Sequence, residues 1–526
     1  MELWNITISE AFRKNAREIP ERIAYVFDGT SYTWADADRI SDAIAISLYQ
    51  RGIRRGSHVG IWGVNTIAWA MYYHALQKIG ALAILFNYSY KALEITSVLN
   101  YNRVEFLLVG EPKPDLDYRK TLQEIAPKLG HLKETWYIEE EFPETSRQEI
   151  TEADKALLEK LGNAIDCQDA STIIFTSGTT AMPKGVLLSH FGILNDARSV
   201  AAGMHWNETD IMAQAMPMFH CSGLTCGLII SMCARIPAVL VRYFSPKPVM
   251  AVIEQYRCTI FNAVPSMLLI MKNHPEREKY DLSSFTSGTM GGSAISAEEF
   301  AEVCDVFHLT NYLAVYGQTE CSPIVCMSVY GDPIDITVNS IGKPLEGVEM
   351  RIWNEQENRV AEDGEQGEIQ VKGFCVMKGY YNRPEYDGKK FTPDGWLRTG
   401  DIGSRDKDGY YHFLCRSDDM IIRGGENIAP SEIECCIQHY SKDISMVRIV
   451  GVPAPVVQEE IVAFVMSGKT EDAEKVRAYV KSSLANFKVP KYVFQLPSFP
   501  MTASGKIDDK TLRQMAKELV YGKEGM

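Results

Sequence analysis

The sequence predicts an α/β protein with a large N-terminal domain on parallel sheets, a β-rich subdomain and a small α+β C-terminal domain. Three observations carry that prediction. Short apolar or β-branched runs alternate with helical patterns through the middle of the chain, as in a largely parallel sheet with crossover helices. From residue 340 to 415 the texture changes to short alternating strands separated by D-G turns. Beyond "RSDD" about 110 residues remain, close to the modal size of one domain.

Taken in order, the N-terminal "MELWNITISEAFRKNAREIPERIAYVF" lacks a charged segment followed by an apolar one, so no signal peptide is expected. The runs "IGALAILF" and "CGLIISMCARIPAVLV" are too short for a bilayer or carry an arginine. "STIIFT", "AVLVRYF", "CTIFNAV" and "NYLAVYG" read as buried strands. Between them, Ser245-Pro246 opens a helix with proline in its first turn, and Ser296 with Glu299 forms a capping box. "GEIQVKGFCVMKGYY" and "DGYYHFLCRSDD" supply the β-rich stretch. The last unit is read as a Ser431–Glu434 capping box, an "ISMVRIVGVP" strand and a helix in "EDAEKVRAYVKSSLANF". No internal repeat or coiled-coil pattern is evident.

Composition narrows the class. The chain is 46% hydrophobic and 23% charged, with net charge −14, which disfavours a general binder of nucleic acid or anionic membrane. Its twelve cysteines are scattered without C-x-x-C or zinc spacing, so reduced thiols in a soluble cytoplasmic protein are expected.

The chemistry concentrates in loops. "IIFTSGTTAMPKGV" runs from an apolar strand into Thr176, Ser177, Gly178, Thr179 and Thr180, then Lys184. Glycines admit backbone N–H groups to phosphate, hydroxyls donate, and the lysine adds a point charge. It is not the G-x-x-x-x-G-K-[ST] loop, because Gly178 is followed after four residues by Pro183-Lys184-Gly185. This loop resembles that of the adenylate-forming superfamily: acyl- and aryl-CoA synthetases, firefly luciferase and peptide-synthetase adenylation domains. Ala181 stands where that family usually has glycine. "VYGQTE" matches the family's Y-G-x-T-E. Physically, Tyr316 offers a face to a base, Gly317 permits close approach, Thr319 can donate to phosphate and Glu320 can hold a hard cation.

The resemblance extends over essentially the full length and implies further roles. "MGGSAIS" would cover the second adenine face with Gly292, Ser293 and Ala294, while Gln318 lies within the nucleotide-binding turn. Asp401 and Arg416 would hold the ribose, since a carboxylate takes two hydroxyls and a guanidinium binds bidentately. Lys506 in "FPMTASGKIDDK" would be the catalytic lysine, and His220 in "AMPMFHCSGL" a gate at the acid pocket. The domains implied are 1–417, binding ATP and acid, and a small mobile cap, 418–526, turning at Asp418. Rotation would bring Gly424 and Gly425 to the thiol channel, with Phe487 and Lys491 serving a CoA nucleotide. One stretch departs from the family's D-x-x-x-G-E: Ala454 and Gln458 occupy those places in "GVPAPVVQEE".

The implied activity is AMP-forming carboxylate–CoA ligation, with Mg²⁺ on Glu320 and with ATP and CoA as co-substrates. Met212, Met216, Met218, Met232, Met267 and Met271 make the presumed pocket methionine-rich, which suits adaptable apolar ligands. "YGQTECSP" and "MIIRGGENIAPSEIE" resemble medium-chain acyl-CoA synthetases, and that resemblance makes a medium- or long-chain fatty acid the expected acid. An aromatic acid is the alternative, as is delivery to a separate carrier protein. A luciferase-like oxidase and a non-catalytic nucleotide-binding module are the remaining readings. A homodimer is compatible with the sequence.

Overall fold

The alternation of apolar runs builds parallel sheets, but the strand that feeds the phosphate loop turns back on itself. The computed structural model describes residues 2–176, 183–293, 295–423, 426–501 and 507–522, with backbone only at Asp418, Glu426 and Asn427. Among the described residues no helix is long and apolar enough to cross a membrane. Two compact units emerge. One comprises Met1–Val338, Gly342–Glu349 and Val371–Leu397; the other comprises Asn339–Ile341, Met350–Gln370 and Arg398–Met526.

In the first unit a seven-stranded sheet runs in the order Gly379–Tyr380, Lys184–Ser189, Ala170–Thr176, Leu82–Phe86, His58–Trp62, Phe106–Val109, Glu134–Tyr137. Its five last-named strands are parallel. Lys184–Ser189 instead pairs antiparallel with Ala170–Thr176, in a register that sets Thr176 opposite Lys184. The Thr/Ser/Gly-rich segment thus joins two antiparallel neighbours in the sheet, not a strand to a helix.

A four-stranded sheet, Ser287–Gly291, Asn311–Gly317, Ile324–Met327 and Lys343–Pro344, carries the second motif. Its first two strands are parallel and pair Gly291 with Val315, so both end at the same edge, where ligands of such sheets gather. The helix Ala297–Phe307 lies between them in sequence. Its capping box is as expected: the Glu299 N–H donates to Ser296 Oγ at 3.1 Å, and the Ser296 N–H to Glu299 at 3.4 Å. The helix Pro246–Tyr256 also forms with Pro246 in its first turn.

Two expected strands change. "AVLVRYF" contributes only Ala238–Leu240. "CTIFNAV" is no strand; it makes isolated bridges at Ile260 and Ala263. Side chains interrupt its ladder: Asn262 Oδ1 accepts the Thr289 N–H at 2.8 Å, and the Tyr312 hydroxyl donates to the Phe261 carbonyl at 2.8 Å. Beneath lies a core that includes Phe261, Phe285, Phe300, Phe307 and Tyr312.

Arg359–Val360, Val348–Asn354, Gly367–Gly373, Leu397–Arg405 and Tyr411–Arg416 form one sheet in that order, most of whose residues belong to the second unit. Another contains Glu426–Ile428, Ile421–Arg423, Gln458–Ser467 and Ile444–Ala454, with Tyr492–Gln495 parallel to Gln458–Ser467. The expected helix appears as Ala473–Ser483, capped by Asp472. The Ser431–Glu434 capping box does not form, because the helix Pro430–Gln438 starts two residues earlier than that box requires, with Ala429 at its cap. Ser431 Oγ donates instead to the Leu414 carbonyl at 2.5 Å. Glu434 accepts the Ile449 N–H at 2.9 Å and faces Arg448 at 3.3 Å.

Candidate active site

Thr176 and Lys184 face each other at the neck of the phosphate loop. Ser177, Gly178, Thr179 and Thr180 lie outside the described residues, as do Ala294, Gly424, Gly425 and Lys506. The Lys184 ammonium sits 4.2 Å from the ring centre of Tyr386 and 5.4 Å from that of Tyr380. Aromatic faces attract a cation without neutralising it.

Tyr380 links this lysine to the second motif. Its hydroxyl donates to Glu320 Oε1 at 2.6 Å, and its N–H donates to Asp387 at 2.8 Å. Burial, reinforced by the Glu320 carboxylate, pushes the Tyr380 phenol well above its usual range, so it stays a donor. Glu320 is buried, and its carbonyl accepts the Met377 N–H at 2.8 Å. A rigid carboxylate with one oxygen held by tyrosine is a fitting ligand for a hard cation. Among the described residues no group of three acidic, histidine or cysteine side chains could hold a metal alone. That donor set suits Mg²⁺, which takes one or two carboxylates and fills its shell with water and phosphate oxygens.

The hairpin that presents Glu320 is tight. Gly317 pairs with Ile324 across it, and a Cβ on Gly317 would lie 1.8 Å from the Pro323 carbonyl oxygen, so no side chain is tolerated there. Gln318 meets Lys390 Nζ at 3.2 Å. Thr319 is buried, with its hydroxyl 3.6 Å from Cys221 Sγ. Tyr316 is half-buried near the end of the parallel strand, next to Val315, which pairs with Gly291 of the neighbouring strand. Gly292 follows with φ +91°, and Ser293 is exposed. Only glycine adopts that φ readily.

Cys221 leads to His220, whose Nδ1 accepts the Ser222 N–H at 3.2 Å and lies 2.9 Å from Ser222 Oγ. A nitrogen that accepts a backbone N–H holds no proton, so the neutral ring carries its hydrogen on Nε2. This bonding fixes the orientation of the ring. The helix that follows continues through a π-helical stretch, Leu224–Ile229, the irregularity often found at functional sites. The structure therefore brings together Thr176, Lys184, Glu320, Thr319 and His220 through Tyr380 and Cys221. Met212, Met216, Met218, Met232, Met267 and Met271 are all buried; Met216, Met267 and Met271 share the phenylalanine-rich core.

In the second unit, Asp401 and Arg416 are cross-strand partners. Arg416 Nε lies 2.9 Å from Asp401 Oδ1, with the aspartate 2% and the arginine 53% exposed. Thr399 braces the pair, since its Oγ accepts the Asp401 N–H at 3.0 Å and donates to the Ile369 carbonyl at 2.6 Å. Asp418 lies in a 3₁₀ turn, Ser417–Asp419. Lys491 meets the buried Glu460 at 3.2 Å, which Arg423 also contacts at 2.9 Å, while Phe487 is exposed. Ala454 and Gln458 form the last pair of a long hairpin, with Gln458 at φ +67°.

Tyr380 and Tyr386 were not legible as site residues. Tyr380 lies in the "KGYY" stretch, which the sequence marks only as a strand, and Tyr386 in "RPEYDGKK" beyond it. Nothing local ties Tyr380 to Glu320, sixty positions away.

Residues 12–381 match the AMP-binding enzyme family, and residues 432–506 match the AMP-binding enzyme C-terminal domain. The chain is 32% identical to YngI of Bacillus subtilis, named as an acyl-CoA synthetase, over 98% of each protein. It is 30% identical to the mitochondrial medium-chain acyl-CoA ligase ACSF2 of Macaca fascicularis, over 98% of this chain and 88% of that one. Among solved structures, the o-succinylbenzoate CoA synthetase MenE of Bacillus subtilis, in complex with its acyl-adenylate, superposes with a TM-score of 0.80. The two are 27% identical, and the match covers 98% of this chain and 99% of that one. The chain belongs to the AMP-binding enzyme family, within the adenylate-forming superfamily, as an acid–thiol ligase of the acyl-CoA synthetase kind.

Proposed function

We propose that the protein activates a medium- or long-chain fatty acid with ATP and passes the acyl group to CoA. The acid's carboxylate oxygen attacks the α-phosphorus, the bond to the bridging oxygen breaks, and pyrophosphate leaves. The CoA sulfur then attacks the acyl carbonyl, giving up its thiol proton, and AMP departs. Such chemistry needs positioning and charge stabilisation more than covalent help. The contact run Lys184–Tyr380–Glu320–Thr319 carries the reading, because it sets a cation, an anchored carboxylate and a hydroxyl side by side. Lys184, Thr319 and the loop residues 176–180 would meet phosphate oxygens, and Tyr316, Gly317, Gln318 and residues 292–294 the adenine. Asp401 and Arg416 would hold the ribose. Bound Mg²⁺ would neutralise phosphate charge at Glu320.

The fatty acid is supported by the name of the macaque relative and by the methionines around this core. An aromatic acid is the second reading, favoured by the likeness to MenE. A cytoplasmic location belongs to the same proposal. So does a two-step cycle in which a cap beginning at residue 418 turns at Asp418, bringing Lys506 for adenylation and Gly424, Gly425, Phe487 and Lys491 for CoA.

The purified protein is expected to release AMP and pyrophosphate when given ATP, Mg²⁺, CoA and a pool of acids. Mass spectrometry of the thioesters identifies the acid, and ADP with orthophosphate as products would sink the assignment. Glu320→Gln keeps an oxygen for the Tyr380 hydroxyl but loses the charge. It should therefore stay folded, raise the Mg²⁺ needed for half-maximal rate, and slow adenylation by about tenfold or more. An unchanged Mg²⁺ response would leave Glu320 with a purely structural role.

A further inference from the structure

The helix His190–Gly203 holds an acid that the site described so far does not use. Asp196 is 0% exposed, on a helix whose inward neighbours include Ile193, Leu194, Ala197 and Val200. Its Oδ1 accepts the backbone N–H of Ile324 at 3.2 Å. Its Oδ2 has no hydrogen-bond partner among the described residues. The buried thiols of Cys226, Cys321 and Cys375 are its titratable neighbours. Burial pushes its carboxyl well above the usual carboxylate range. A buried acid so poorly provided with partners is costly to keep, and its one bond falls at a telling place.

Ile324 opens the return strand of the hairpin whose outgoing strand ends in Tyr316 and Gly317. The register slips between Tyr316 and Gly317, and the Ile324 N–H leaves the ladder to meet the helix. Between Gly317 and Ile324 lie Thr319 and Glu320. The turn is fixed again at Ser322, whose hydroxyl donates to the Cys375 carbonyl at 2.7 Å. The hairpin is thus tied from below at two points, and Asp196 supplies the tie nearest the pairing of its two strands.

We propose that Asp196 is a positioning residue for the nucleotide site, holding the Ile324 N–H so that Tyr316, Thr319 and Glu320 stand in place before ligand arrives. The inference rests on the proposed nucleotide role of that hairpin. It makes no use of a negative charge, so an amide oxygen should serve equally well. Leaving the buried Ile324 N–H without an acceptor should favour opening of the hairpin by about tenfold.

Hydrogen exchange over residues 314–327 tests this in the unliganded enzyme, and calorimetry with AMP alone, without metal, tests the consequence. Asp196→Asn should match wild type within about twofold in exchange and in AMP affinity. Asp196→Leu should exchange faster in that segment by about tenfold and bind AMP correspondingly more weakly, with other segments unchanged. If Asp196→Leu does not fold, Asp196→Ala takes its place. Unaltered exchange in the apolar variants would overturn the inference, as would Asn behaving like Leu. Should wild type bind no AMP at all, the proposed function fails while the exchange comparison still decides the role of Asp196.

Discussion

Lys506→Ala is expected to abolish most adenylation while sparing thioester formation. In the proposed cycle this lysine neutralises charge only while the carboxylate attacks phosphorus. Removing one preorganised donor of this kind typically costs about 10²–10³ in rate. Acid-dependent release of pyrophosphate should fall by that amount. Supplied with ready-made acyl-adenylate and CoA, the same variant should form thioester at a near-normal rate. Lys506 stands at the end of the match to the family's C-terminal domain. It lies between Met501 and Ile507, which form an isolated antiparallel bridge. A loss of both steps together would point to a different role.

Asp418→Pro is expected to do the reverse. Proline fixes φ near −65° (about ±15°) and restricts the preceding Ser417 as well. The Met420 N–H closes the turn on the Arg416 carbonyl at 3.1 Å, a bond that does not involve the Asp418 nitrogen. Proline is tolerated in the first turn of a helix, so the 3₁₀ turn Ser417–Asp419 should survive. What should be lost is rotation. Acyl-adenylate should then form and accumulate with thioester production reduced by an order of magnitude or more, as roughly expected when a gating motion limits turnover. Both half-reactions measured in both variants decide the matter. If each substitution slowed the two steps equally, alternation about Asp418 would be the wrong mechanism.

Much of this site was legible without coordinates, for reasons that differ by residue. Gly317 sits where a side chain would strike a carbonyl oxygen, and Gly292 where φ is positive; each requirement selects one residue type. The Ser296–Glu299 box acts over three positions, so the start of that helix was readable. The Ser431–Glu434 pair has the same spacing and fails, because Ser431 finds the Leu414 carbonyl and Glu434 finds Ile449 and Arg448. Identical local patterns part company once distant partners compete for their hydrogen bonds. "CTIFNAV" fails as a strand for a related reason, since Asn262 takes a ladder position with its side chain.

The sequence by itself determined the α/β class, the order of the motifs, the chemical inventory of the loops and the family to which they belong. Each of these is written in residue types and short spacings, where backbone preference and hydrogen bonding act within a few positions. Only the tertiary structure decided that the strand ending at Thr176 pairs antiparallel with the one starting at Lys184, setting the two residues opposite each other. It alone placed Tyr380 between Lys184 and Glu320, made Asp401 and Arg416 cross-strand partners, and buried Asp196 beneath the hairpin. These are contacts between segments far apart in sequence or set by strand register. They are fixed by which apolar faces are buried together and by the need to satisfy polar groups carried into the interior with them.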